Sequence, residues 1–150
     1  MPDLPRKKVG LISCSGEELA EGTVTRRAVR KVLETFRPDD TVTLCLPLFL
    51  AGGEGERAFA RYYPTIAVDG CNKRCAALAT EKYSAKPAVS IVVTGIAKER
   101  GCGKIGTARR LNAEGLRLAD VVAGKIVEET DRLLKKKPKS AVQESDRGKR

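Results

Sequence analysis

The amino-acid sequence predicts an α/β fold: a small three-layer, doubly wound domain built on a four-stranded, mainly parallel sheet. Short continuous apolar runs, suited to strands buried on both faces, alternate with longer stretches at helical spacing. Four such strand-and-helix pairs follow one another through short loops, and right-handed crossovers then place the helices on the faces of a parallel sheet. The 150 residues also suffice for a real core, since a domain of that size buries about 68–70% of the surface its unfolded form exposes.

The first strand is Lys8-Val9-Gly10-Leu11-Ile12-Ser13, broken by Cys14-Ser15-Gly16. Thr23 is the expected N-cap of a helix whose inner face is Ala28, Val29, Val32, Leu33 and Phe36, ending before Arg37-Pro38-Asp39-Asp40. A second strand, residues 41–46, runs into Pro47 and a Gly52-Gly53 turn. A short helix from about Glu54 to Tyr62 then turns Ala58, Phe59 and Tyr62 inward before Pro64 stops it. The third strand, residues 65–68, ends in Asp69-Gly70-Cys71, and a helix from about Asn72 to Tyr83 presents Cys75, Ala76, Leu78 and Ala79. The fourth strand covers residues 88–94. Beyond the loop Gly101-Cys102-Gly103-Lys104-Ile105-Gly106, a long amphipathic helix from about Ala113 to Leu134 lays Leu116, Ala119, Val122, Ala123, Ile126, Val127, Leu133 and Leu134 on the sheet. Residues 1–134 are thus read as one domain, with a homodimer over an edge strand compatible with its size.

Lys and Arg number 29 against 19 Asp and Glu, giving +10. Residues 135–150 hold seven of the cations and two of the acids, so +5 belongs to that segment and +5 to the first 134 residues. The segment KKKPKSAVQESDRGKR has too little apolar surface to offset its ordering entropy and is expected to be a disordered basic tail. Only weak contact with nucleic acid or another acidic surface is expected of it, because no groove-reading motif accompanies it and the chain has just three Phe, three Tyr and no Trp to stack on bases. With 41% apolar and 32% charged residues, no run approaches the roughly 20 apolar residues of a spanning helix, so no membrane partner is expected. Met1 to Lys8 leads straight into a strand with no signal-peptide pattern, which gives a cytoplasmic reading.

There is no histidine, which removes the commonest general base, the commonest metal ligand and the Ser/His and Cys/His nucleophile pairs. Five cysteines in a chain read as cytosolic point to metal or thiol chemistry sooner than to disulfides. Cys14 follows the first strand, Cys45 lies near the end of the second, Cys71 follows the third with Cys75 four residues on, and Cys102 lies beyond the fourth. Open parallel sheets bind ligands outside the carboxyl ends of their strands, so these thiols are expected to face one region. Cys45, inside an apolar run, serves equally well as a small buried hydrophobe.

Cys71 and Cys75 would lie about 5–6 Å apart, Cβ to Cβ, if both sat at a helix start, within reach of the roughly 3.7 Å sulfur separation of a tetrahedral thiolate zinc. Lys73 and Arg74, with Lys98, Arg100 and Lys104 across the crevice, would lower thiol pKa values and balance a doubly anionic four-thiolate centre. Gly101-Cys102-Gly103-Lys104 is only a fragment of a phosphate loop, since Ile105 stands where a Walker loop needs Ser or Thr.

Cys14-Ser15-Gly16, Cys45-Leu46-Pro47 and above all Val68-Asp69-Gly70-Cys71 with Cys75 resemble the DGC-domain family, named for its Asp-Gly-Cys triplet. The similarity runs from about Lys8 to about Lys104 and rests on the ordered set of cysteines. It implies zinc as the metal and Cys14, Cys45, Cys71 and Cys75 as its ligands, with Cys102 a spare or exchangeable thiol. Thr94-Gly95 stands where the family suggests an acidic residue. Four thiolates would close a structural site, and three with an open position would leave a reactive one. An iron-sulfur cluster would use the same ligands. The alternative is a redox or sulfur-handling enzyme, with Cys71 as nucleophile and Cys75 or Cys102 resolving the product.

Because the apolar period ends at Leu134, deleting residues 138–150 should move the melting temperature by less than about 2 °C. A larger drop in a calorimetric scan would show that the tail supports the fold.

Overall fold

The computed structural model describes residues 7–14 and 16–135. The expected tail lies outside the described residues except for Lys135, which ends the last helix. Strands β1 (Val9–Ser13), β2 (Thr41–Thr43), β3 (Thr65–Asp69) and β4 (Val89–Val92) form one sheet in the order β2-β1-β3-β4. Every pairing is parallel, as expected. The helices are α1 (Ala20–Lys31), α2 (Leu46–Leu50), α3 (Glu54–Tyr62), α4 (Cys75–Tyr83), α5 (Val93–Glu99) and α6 (Ala113–Lys135).

The two central strands are buried on both faces, and their period of two divides the core. Val9 and Leu11 of β1 with Ile66 and Val68 of β3 meet Val24, Ala28, Leu118, Val122 and Ile126 from α1 and α6. On the other face Ile12 and Ala67 meet Phe49, Phe59, Ala76 and Ala77 from α2, α3 and α4. Each fully buried aliphatic or phenyl side chain contributes about 1.5–3 kcal/mol. Gly10 of β1 leaves the seat for Phe59, whose ring stands where a β-carbon would project. The chain leaves β1 toward β2 on one side and returns to β3 on the other, so strand order reverses between β1 and β3. That switch point, at the carboxyl ends, is the customary ligand position of such sheets.

Two helices replace expected strand or loop. The expected second strand runs to Leu46 before a turn, yet β2 ends at Thr43 and α2 follows, burying Leu46 and Phe49 at a helical spacing of three, with Pro47 suited to its first turn. Likewise Val93, the last core residue of the fourth apolar run, already begins α5, and the amide of Thr94 donates to the Gly70 carbonyl at 3.1 Å. Local propensity favours strand at both places; at β4 the bond to Gly70 ends it early.

Several side chains depart from the expected faces. Helix α1 starts at Ala20 with Leu19 as its uncapped N-cap, and the Thr23 hydroxyl donates instead to the Ala108 carbonyl. A π-helical turn, Val32–Phe36, closes α1 with the Arg37 amide on the Val32 carbonyl at 2.8 Å. Its wider winding shifts the phase and turns Phe36 out, 40% exposed. Tyr62 is 71% exposed because Phe59 and Tyr63, one turn apart with centroids at 5.3 Å, fill the inner side of α3. Leu78 and Leu116 also face out.

Arg37 fastens this turn to α6, donating from Nε to Asp131 Oδ1 at 2.8 Å and from Nη2 to Oδ2 at 2.7 Å. That guanidinium holds the Asp131 carboxyl below its ordinary value of 3.8, its hydrogen bonds outweighing desolvation. A folded-state value below the unfolded one stabilises the fold above the unfolded value and ceases to do so as pH falls through the depressed one. Both side chains are about a third exposed, so Asp131→Asn should lower stability by about 0.5–1 kcal/mol near neutral pH. The gap should close below the depressed value. Urea titrations of both chains across that range would show a constant gap if the pair contributed nothing through charge.

Candidate functional site

The switch point is organised by a carboxylate that the cysteine pattern conceals. Asp69, the last residue of β3, is 1% exposed. Its Oδ1 accepts from the Ala76 amide at 2.7 Å and its Oδ2 from the Ala77 amide at 3.1 Å. The carboxylate therefore satisfies two of the amides that the first turn of α4 leaves open, where the helix dipole favours negative charge. Burial raises its pKa, the two amides and then Arg74 opposing that shift. Asp69 stands six residues ahead of α4, too far upstream for the usual capping spacing to reveal it.

Three backbones meet beside it. Gly16, in the loop after β1, has φ +67°, and Gly22 lies in the first turn of α1. A β-carbon added to either would stand well inside 3.0 Å of the other's backbone, and one added to Gly70 would press on the backbone of Glu21 and Gly22. The amino end of α1 thus packs backbone to backbone against the loops that follow β1 and β3. The Thr25 hydroxyl, fully buried, donates to the Gly22 carbonyl at 2.7 Å, which leaves the Cys14 thiol to donate the 3.5 Å contact between Cys14 Sγ and Thr25 Oγ1.

The thiols take these positions. Cys14 is partly buried past β1, its amide on the Val68 carbonyl at 3.0 Å, and it packs against the core layer of α2, α3 and α4. Cys45 is exposed at the N-cap of α2, outside β2 rather than within a strand. Cys71 is partly buried in a turn closed by the Arg74 amide on the Cys71 carbonyl at 3.1 Å. Helix α4 begins only at Cys75, after Arg74 in left-handed conformation at φ 53°, so Cys71 and Cys75 do not share one helical turn. Cys75 is exposed, and the amides at the start of α4 go to Asp69. Arg74 directs its guanidinium to the Ser90 hydroxyl at 3.2–3.3 Å. Cys102 comes after α5 and packs against the core layer of α1 and α6, while the Glu114 carboxyl is lowered chiefly by its hydrogen bond from Arg117.

Cys14, Cys45 and Cys71 therefore follow three adjacent strands, with Cys75 just beyond, while Cys102 belongs to the other layer. The donor chemistry suits a borderline-soft ion such as zinc. The spacing is open: among the described residues no group of three or more His, Cys, Asp or Glu lies close enough to hold a metal ion. Among them, too, no helix is long and apolar enough to cross a membrane.

A parallel α/β sheet with thiols beyond adjacent carboxyl ends and a buried carboxylate at its switch point defines the class. The DGC-domain family model matches residues 10–114, from β1 to the start of α6 and across all five cysteines, and the chain belongs to that family. No curated protein and no solved structure matches it.

Gly22→Ala should lower stability by at least about 2 kcal/mol, because the clash is between backbones that cannot rotate aside, and should speed alkylation of Cys14. Gly124, exposed in mid α6 with open space around its α-carbon, is the control; Gly124→Ala should raise stability by about 0.5–1 kcal/mol. Equal effects in chemical denaturation would remove the close approach as the reason.

Proposed function

We propose that this protein is a cytoplasmic thiolate metal-binding protein that holds zinc through Cys14, Cys45, Cys71 and Cys75. The observation that carries this reading is the succession of thiols past β2, β1 and β3, neighbours in the sheet. Strands about 4.8 Å apart bring their loop mouths within about 10 Å. Membership of the DGC-domain family supports the same set. Because the thiols stand apart, binding draws the three loops together, and part of the metal's binding energy appears as local ordering. Asp69 and the glycine contact hold the bases of two of these loops while their thiols close. A reducing compartment keeps five thiols available as ligands.

Protein purified anaerobically should carry one zinc per chain and be colourless, whereas a coloured protein would indicate an iron-sulfur centre. Cys71→Ser should lose most of the metal and lower the melting temperature, while Cys102→Ser, in the other layer, should change neither appreciably. If Cys102→Ser loses the metal and Cys71→Ser keeps it, the ligand assignment is wrong. Metal-free wild type whose Cys71 is rapidly alkylated would instead support the nucleophile reading.

A further inference from the structure

Away from the thiols, residues 107–110 form a tight turn. The Thr107 amide donates to the Arg110 carbonyl at 2.8 Å, and the Arg110 amide returns to the Thr107 carbonyl and hydroxyl at 3.2 and 3.1 Å. Gly106 and Leu111 bridge its base, and the Thr23 hydroxyl on the Ala108 carbonyl ties the turn to α1. Between the turn and α1 lies a cleft of about 700 Å³ lined by Arg26, Arg27, Arg30, Lys31, Arg109 and Arg110. The four cations of α1 recur at the spacing of one helix face, and the turn sets two more opposite them.

Glu34 is the one carboxylate in that lining, and Glu17 and Asp120 reach Arg26 and Lys31 from outside it, so the six cations outnumber these carboxylates by three. Arg26 pairs with Glu17, Arg30 with Glu34 and Lys31 with Asp120, all exposed pairs of the kind a ligand displaces at little cost. Among the described residues, Arg27, Arg109 and Arg110 form no ion pair with a carboxylate.

We propose that this cleft binds a small anion carrying two or more phosphate groups. Five of the six cations are arginines, whose planar forks engage phosphate oxygens in pairs. The volume falls within the roughly 300–1,000 Å³ of small-molecule sites. Leu111 and Leu116 are the apolar part of the wall, and no aromatic ring lines it, so it has no platform on which the bases of a nucleic-acid strand would stack. The site is independent of the metal reading.

Calorimetric titration of the full chain with inorganic tripolyphosphate at near-physiological salt should give saturable binding to one site. The exposed pair Arg27→Gln and Arg110→Gln together should weaken it at least about tenfold, the usual scale for losing a charged hydrogen bond, with an unchanged melting temperature. Lys125→Gln, on α6 outside the cleft, should stay within about twofold of wild type. Absence of saturable binding, or a double variant that binds like wild type, would overturn the proposal. So would a single-stranded oligonucleotide that binds more tightly than tripolyphosphate and is lost in the double variant, because the occupant would then be nucleic acid.

Discussion

Neither Gly16 nor Gly22 has room for a β-carbon, because each occupies the space into which the other's would project, and Gly70 lies against the same stretch of backbone. This contact sets where α1 begins relative to the ends of β1 and β3. Side-chain packing can relax by a rotamer change; backbone against backbone has no such freedom. The buried Thr25 hydroxyl continues the constraint from the Gly22 carbonyl to the Cys14 thiol. The position of one candidate ligand is thus fixed by residues without metal chemistry of their own.

Asp69 does the corresponding work at the end of β3. Desolvation disfavours its ionised form, while the Ala76 and Ala77 amides favour it; burial prevails in the raised pKa. The carboxylate occupies the end of α4 that the helix dipole would otherwise offer to a thiolate. Cys71 is therefore left in the turn ahead of the helix, and Cys75 on the exposed side of its first turn. This placement gives the Asp-Gly-Cys triplet distinct physical parts: an acid that anchors the next helix, a glycine that lets α1 approach, and a thiol free of both tasks.

Much of the fold was legible because burial on two faces leaves an unmistakable mark. Residues 9–12 and 66–68 are continuous non-polar runs, which the centre of a covered parallel sheet accommodates. The edge strands were read too long. In the runs through Cys45 and Val93, periodicity over a few apolar residues does not separate strand from buried helix, and both strands end early. Phe36 went astray for another reason: a π-helical turn changes the phase on which a helical pattern depends. Asp69, Thr25 and the basic cleft escaped the reading because their partners lie in other elements, so no local spacing announces them.

The sequence by itself determined the alternation of strand and helix, the parallel sheet, the family, and the order in which thiols follow the strands, because each is written in periodicity or in a linear motif. Tertiary structure alone decided which layers Cys14 and Cys102 pack against, that two open amides of α4 go to Asp69 and not to a cysteine, and that six cations gather between α1 and the turn at Thr107. Those are distances between residues far apart in the chain. They follow from how helices seat on a twisted sheet, which is settled by the summed packing of the core and by no single stretch of sequence.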